Sequence, residues 1–219
     1  MKPAARPRVK VCCIASLAEA ELAAGLGADA LGLVSAMPSG PGVIAEDVIA
    51  QVAARVPPPV ATFLLTSLVE PDAIVEQQRR LRATTLQLVD RTTAEARRAV
   101  REALPGVRIV QVVHVTGPAS LDEALLAQEE SDALLLDSGN ADLAVKELGG
   151  TGRVHDWATS ARIREAVDVP LVLAGGLRPD NVRQAIDEVG PFGLDVCSGV
   201  RTGGRLDAAK LAALLAAAR

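Results

Sequence analysis

The sequence predicts a single parallel (β/α)8 barrel. Short β-branched or aliphatic runs recur eight times, and each is followed by an Ala/Leu/Arg/Glu segment with helical spacing. That alternation is how a parallel sheet wrapped by helices reads in one dimension. Eight units in 219 residues leave about 27 residues each, near the lower size limit of the fold. The third observation is that glycine clusters fall late, after the sixth, seventh and eighth runs. A doubly wound open sheet, the alternative, uses fewer strands and sets its glycine-rich turn after the first one. In a barrel, by contrast, the loops after the last strands commonly form a phosphate site.

The strand candidates are residues 9–14, 30–34, 60–65, 85–88, 108–114, 133–137, 171–174 and 193–196. Helix candidates begin near Ser16, Ala45, Pro71, Thr92, Ser120, Asp156, Arg178 and Asp207. Start signals mark several of them: Ser16 with Glu19 at the third position, Pro71 with Asp72, Ser120 with Asp122, and Pro179 with Asp180. No Pro/Gly/Ser-rich linker or composition break divides the chain, so residues 1–219 are expected to form one domain.

Composition narrows the function classes. Hydrophobic residues make up 49% and charged residues 23%, too apolar and too evenly mixed for a disordered chain. With Phe63, Phe192 and Trp157 as its only aromatics and a net charge of −4, the chain lacks both stacking platforms and an attractive field for a polyanion. Nucleic acid is therefore not expected as a partner. Cys12, Cys13 and Cys197 cannot all pair, and neighbouring cysteines do not readily bridge, so they read as reduced thiols in the cytoplasm. Lys2, Arg6, Arg8 and Lys10 ahead of the apolar run 11–17 loosely mimic a secretory signal, but Glu19 and Glu21 cut that run short. No stretch reaches the about 18 uncharged residues of a membrane span, so no membrane association is expected. Monomer and homodimer are both compatible with the fold.

Catalytic groups of a barrel sit at the C-terminal ends of its strands. Two candidates stand there, Cys12 near the end of the first strand and Asp137 at the end of the sixth. Strand alternation puts Lys10, Cys12 and Ile14 on one face and Val9, Val11 and Cys13 on the other, so only one of the adjacent cysteines can face inward. If that is Cys12, Lys10 lies about 6.6 Å away along the strand, where its charge favours the thiolate. Cys12 reads equally as a small buried hydrophobe. Asp137 follows four apolar residues, and as a purely structural group it would have to cap the next loop through backbone N–H groups. An acid and a base on opposite sides of one mouth suit proton transfer to one atom and from another.

Exposed backbone N–H groups hold phosphate without lysine or arginine. Candidates for this role are Gly150 and Gly152 in the loop 149–152, Gly175 and Gly176 after the seventh strand, and Ser198 and Gly199 after the eighth. A phosphorylated small molecule is the expected partner. His114 and His155 lack metal-ligand spacing and cysteine partners, so no metal is expected. The charge-rich stretch 95–101 reads as a solvated helix face.

Ordered motifs along nearly the whole chain give it a family resemblance. They are Lys10-Val11-Cys12; Gly27 to Gly32; Gln87-Leu88; Leu135-Leu136-Asp137-Ser138; the loop 149–152 with Asp156-Trp157; Leu173 to Leu177 with Pro179 and Asn181; and Gly193 to Val200. The chain resembles phosphoribosylanthranilate isomerase, the cofactor-independent Amadori isomerase of tryptophan biosynthesis. The resemblance implies that Asp137 protonates the ribose ring oxygen, opening the ring to an iminium. It implies that the Cys12 thiolate removes the C2′ proton, giving an enolamine that becomes the ketose. No cofactor is implied, and the phosphate would rest on N–H groups around Gly176, Ser198 and Gly199.

Three departures from the family pattern stand out. Cys13 replaces the usual glycine, bringing a side chain or a second thiol to the turn. The Ser-Pro-Arg segment, whose arginine pairs with the anthranilate carboxylate, is replaced by residues 35–42 without an arginine, leaving Arg153 as the candidate carboxylate partner. Val89-Asp90 replaces His-Gly and sets a negative charge near the mouth. The expected activity is isomerisation of N-(5-phosphoribosyl)anthranilate. The alternatives are the same chemistry on another phosphoribosyl amine, or a barrel that binds a sugar phosphate without turnover.

Overall fold

The computed structural model describes residues 6–139, 152 and 154–219. Eight parallel strands, β1 (Arg8–Val11), β2 (Ala30–Val34), β3 (Ala61–Thr66), β4 (Thr85–Leu88), β5 (Arg108–His114), β6 (Ala133–Asp137), β7 (Leu171–Leu173) and β8 (Gly193–Val196), form a ring in chain order. The ring closes where β1 pairs with β8, Lys10 opposite Asp195 and Val11 opposite Val196. Outside run the helices α1 (Leu17–Leu26), α2 (Glu46–Arg55), α3 (Pro71–Leu81), α4 (Ala94–Ala103), α5 (Ser120–Ala127), α6 (Trp157–Ala166), α7 (Val182–Val189) and α8 (Ala208–Ala217). Among the described residues no helix is long and apolar enough to cross a membrane.

Strand alternation divides the apolar residues into two cores. Val9, Val11, Leu31, Leu33, Leu64, Leu86 and their equivalents face outward against the helices. Val34, Leu65, Val110, Val112, Leu135 and Ala174 fill the interior with Phe63 and Val172. Each fully buried aliphatic side chain contributes about 1.5–3 kcal/mol. An almost purely aliphatic sequence therefore suffices for this barrel.

Five strands lie where the sequence places them, and the exceptions have local causes. β1 stops at Val11 rather than at residue 14 because Cys13 turns the backbone left-handed, φ 60°. β7 stops at Leu173, shortly before Gly175 and Gly176, both of positive φ. α7 begins at Val182, not near Arg178. There the Asn181 side chain accepts the Arg178 N–H at 2.8 Å and donates to the Gly176 carbonyl at 3.0 Å, which builds a turn ahead of the helix. The stretch 95–101 is not simply a solvated face. Arg97 is buried, and its guanidinium donates to the carbonyls of Thr92, Leu126 and Glu129, joining α4 to the end of α5.

The ends of the barrel sequence meet at Glu19. The Ser16 hydroxyl caps α1 by accepting the Glu19 N–H, and the Glu19 carboxylate takes the N–H of Ala15. That carboxylate also accepts the N–H of Leu206 and two bonds from Arg201, residues of a small hairpin, β9 (Arg201–Thr202) and β10 (Arg205–Leu206). Arg201 in turn donates to the carbonyls of Cys12 and Cys13. Burial alone would raise the Glu19 carboxyl's pKa, but the Arg201 bonds and the two N–H donors outweigh it and hold the pKa below the usual glutamate value.

Glu19→Gln is therefore expected to cost about 3 kcal/mol in urea denaturation, because Arg201 and Glu19 are both largely buried and one would lose its counter-charge. The folded carboxyl holds its proton less tightly than the unfolded one. The contribution is thus complete above the unfolded glutamate value, about 4.3, and is lost as pH falls through the lower folded value. Denaturation at a series of pH values should show a smaller acid-side loss in Glu19→Gln than in the native chain.

Candidate active site

At the C-terminal ends of the strands lies a cleft open to solvent. Six residues singled out from the sequence line it together: Cys12, Asp137, Gly152, Gly175, Gly176 and Ser198. The thiol and the carboxylate come from β1 and β6, three steps apart around the ring through β8 and β7. Gly152, at φ 69°, sits so close to the last loop that a Cβ there would lie 3.3 Å from the Ser198 hydroxyl. Gly199 follows Ser198, and a Cβ on it would fall 2.0 Å from the Leu177 carbonyl oxygen, so the loops after β7 and β8 touch only because this residue is glycine. Gly150 and Arg153 lie outside the described residues.

The floor below Cys12 is ionic. Lys10 is buried inside the barrel with its Nζ 2.8 Å from Asp195 and 5.4 Å from the centre of the Phe63 ring. Burial disfavours the ammonium, but Asp195, Cys12 and Cys13 outweigh it and hold the Lys10 pKa above its ordinary value. Burial raises the Asp195 pKa against the pull of Lys10, and Asp137 adds to that rise. Gly32 of β2 makes the space: a Cβ there would approach the Cys12 sulfur to 2.9 Å and the Lys10 nitrogen to 3.0 Å.

Alternation predicts that only one of the adjacent cysteines faces inward, and the structure corrects this. Both Cys12 and Cys13 line the cleft, because the left-handed conformation of Cys13 interrupts the alternation. Ile14 accordingly joins Val9 and Val11 in the outer core rather than sharing the face of Cys12. Gly42 compensates for the added side chain: a Cβ on it would lie 2.5 Å from the Cβ of Cys13. The Cys13 sulfur reaches the Pro41 carbonyl at 3.6 Å and the Cys197 sulfur at 2.9 Å, so three sulfurs gather at one rim of the cleft.

On the far wall, Asp137 accepts the backbone N–H of Ser138 at 2.7 Å, the local capping bond its sequence position suggests, while still lining the cleft. Sequence reasoning missed two polar lining groups. Among the described residues, Gln87 Oε1 and Asp195 Oδ1 are buried acceptors without a hydrogen-bond partner. Asp195 could have been found by register, since it and Lys10 both point inward across the β1–β8 pair. His155 bonds to Ser160, and burial lowers its pKa against the opposing pull of Asp137 and Asp156. His114 is buried and bonded to the Val89 carbonyl. Asp90, two residues past the end of β4, is buried and is not among the described residues lining the cleft. Where an arginine was missed in the sequence, the lining is Met37, Gly40 and Pro41; among the described lining residues none is cationic.

Replacing Lys10 with Met should leave the Asp195 carboxylate buried without a counter-charge, at a cost of about 3–5 kcal/mol in urea denaturation. Adding Asp195→Asn to that variant should recover part of the loss. A double-mutant cycle with no coupling between the two positions would contradict the pairing.

The comparisons with known proteins agree with this geometry. The family model described as N-(5'phosphoribosyl)anthranilate (PRA) isomerase matches residues 9–217. A protein of Methanocella arvoryzae named N-(5'-phosphoribosyl)anthranilate isomerase is 34% identical over 193 residues, 88% of each chain. The crystal structure of phosphoribosyl anthranilate isomerase from Thermotoga maritima superposes with a TM-score of 0.83 at 30% identity, covering 97% of this chain and 98% of that one. A phosphoribosyl anthranilate isomerase in complex with reduced 1-(o-carboxyphenylamino)-1-deoxyribulose 5-phosphate gives a TM-score of 0.81 at 29% identity, again over 97% and 98% of the chains. This chain belongs to the N-(5'-phosphoribosyl)anthranilate isomerase family.

Proposed function

We propose that this protein isomerises N-(5'-phosphoribosyl)anthranilate to the corresponding 1-deoxyribulose 5-phosphate, a step of tryptophan biosynthesis. The observation that carries the reading is the convergence of Cys12 and Asp137, from distant parts of the chain, on one cleft beside the glycine loops. Asp137 serves as general acid, protonating the ribose ring oxygen so that the ring opens to an iminium. Cys12 as thiolate then takes the proton from C2′, and the resulting enolamine tautomerises to the ketose. Lys10 lies beneath the second step: its ammonium sits one strand repeat below Cys12, held charged by its neighbours, Asp195 above all.

The phosphate rests on backbone N–H groups of Gly152, Gly175, Gly176, Ser198 and Gly199, with Gly150 as a further candidate in the same loop. Gln87 and Asp195 offer acceptors to sugar hydroxyls. Arg153 is the proposed partner of the anthranilate carboxylate. A second reading keeps the chemistry on a phosphoribosyl amine without a ring carboxylate. What favours it is the uncharged rim of Met37, Gly40 and Pro41 where the family places an arginine. Relative kcat/KM on the two substrates separates the readings.

Cys12→Ala and Asp137→Asn are each expected to lower kcat by about 10²-fold or more with little change in KM, followed by loss of substrate fluorescence. Undiminished turnover in both variants would end this assignment. Inorganic phosphate should raise the Tm, corresponding to about 2.7 kcal/mol at a hundred times its Kd, and Gly199→Ala should abolish that rise while the far-ultraviolet dichroism is retained. A phosphate-dependent Tm with no turnover of either substrate would identify a binding protein instead.

A further inference from the structure

The mechanism above uses Cys12 and leaves two neighbouring thiols unexplained. Cys13 and Cys197 stand on adjacent strands just past the β1–β8 pairing, where Cys12 donates its N–H to the Val196 carbonyl at 2.8 Å. By register Cys197 faces Cys12, and the left-handed residue after it brings the Cys13 sulfur back to Cys197. The two sulfurs are already 2.9 Å apart, and a bond of about 2.05 Å asks for less than 1 Å of movement. That movement is available to side chains at the rim of an open cleft.

The left-handed turn at Cys13 creates this arrangement, since regular alternation would point its side chain away from the cleft. Gly42 makes room for it, and Arg201 fixes the turn through the carbonyls of Cys12 and Cys13. We propose that Cys13 and Cys197 form a reversible disulfide with hydroperoxides as oxidant, sparing the Cys12 thiol beside them.

The two thiols differ in the way such a reaction needs. The hydrogen bond with Cys13 lowers the Cys197 pKa against its burial, and Arg201 assists. The bonds to Cys12 and Cys197, together with burial, raise that of Cys13. Cys197 is therefore the attacking thiolate. Its sulfur attacks one peroxide oxygen, the O–O bond breaks, and the other oxygen leaves as hydroxide, or as alkoxide from an organic hydroperoxide, and takes a proton from solvent to become water or alcohol, giving a sulfenic acid on Cys197. The Cys13 sulfur attacks the Cys197 sulfur, the S–O bond breaks, and the hydroxide takes the Cys13 proton to leave as water. Two electrons pass from the two sulfurs to the peroxide.

The test needs no turnover, so its failure and failure of the isomerase reading are separable. The reduced full-length protein is treated briefly with a small excess of hydrogen peroxide, then denatured and alkylated. The expected result is a loss of two hydrogens, alkylation at Cys12 alone, and a cross-linked peptide carrying Cys13 and Cys197. The Tm should rise, since the bridge joins residues 184 apart, and dithiothreitol should restore both the Tm and three alkylated thiols. Cys13→Gly should show no Tm rise and less alkylation at Cys12 after peroxide. Cys13→Ser serves the same purpose if the glycine variant does not fold. Three free thiols after treatment, a bridge involving Cys12, or oxygen added to Cys197 without a cross-link would each overturn the proposal.

Discussion

The site depends on one buried ion pair in its floor. Lys10 and Asp195 face each other across the seam at which the last strand returns to the first, 185 residues apart in sequence. Burying two charges costs several kcal/mol per ion before their attraction is counted, so a hydrophobic pair would hold the ring together at least as well. What a hydrophobic pair would not provide is a fixed positive charge one strand repeat below Cys12 and a carboxylate oxygen left over to face the cleft. Specificity of placement accounts for the pair better than stability does. Gly32 is part of the same design, since any side chain on it would displace both the ammonium and the sulfur.

The turn after β1 shows how a departure from a family pattern is absorbed. A positive φ is a conformation glycine adopts freely and other L-residues adopt at a cost of about 1–2 kcal/mol. Cys13 nonetheless holds φ 60°, secured by the Arg201 bonds to its own carbonyl and that of Cys12. The added side chain fills a space left by Gly42 on the opposing loop. The backbone that positions Cys12 thus keeps a glycine-like path without the glycine, and a second thiol enters the cleft as a result.

Much of this was legible from the sequence, and the failures are instructive. Strands such as β5 and β6 are short, mainly aliphatic runs with no competing helical period, so their bounds follow directly. The place of Asp137 at the cleft is legible because a carboxylate that ends an apolar strand stands at the C-terminal mouth of the barrel. Cys13 was misplaced because alternation holds only while the backbone stays extended, and nothing in a Cys-Cys pair announces a left-handed residue. Arg97 was misread because charge counting does not distinguish a guanidinium facing water from one capping three carbonyls. Asp195 and Gln87 escaped for the converse reason: each sits in an apolar strand, and its role appears only when the neighbouring strand's register is known.

Glu19 lies near the beginning of the chain, yet Arg201 and Leu206 supply most of its partners. On the ribosome, therefore, α1 emerges with its carboxylate unanswered and the turn bearing Cys12 unsecured, and both wait until Arg201, 182 residues later, has been made. A nascent chain interrupted before the β9–β10 hairpin would hold the Cys12 thiol but not the contacts that fix the turn beside it.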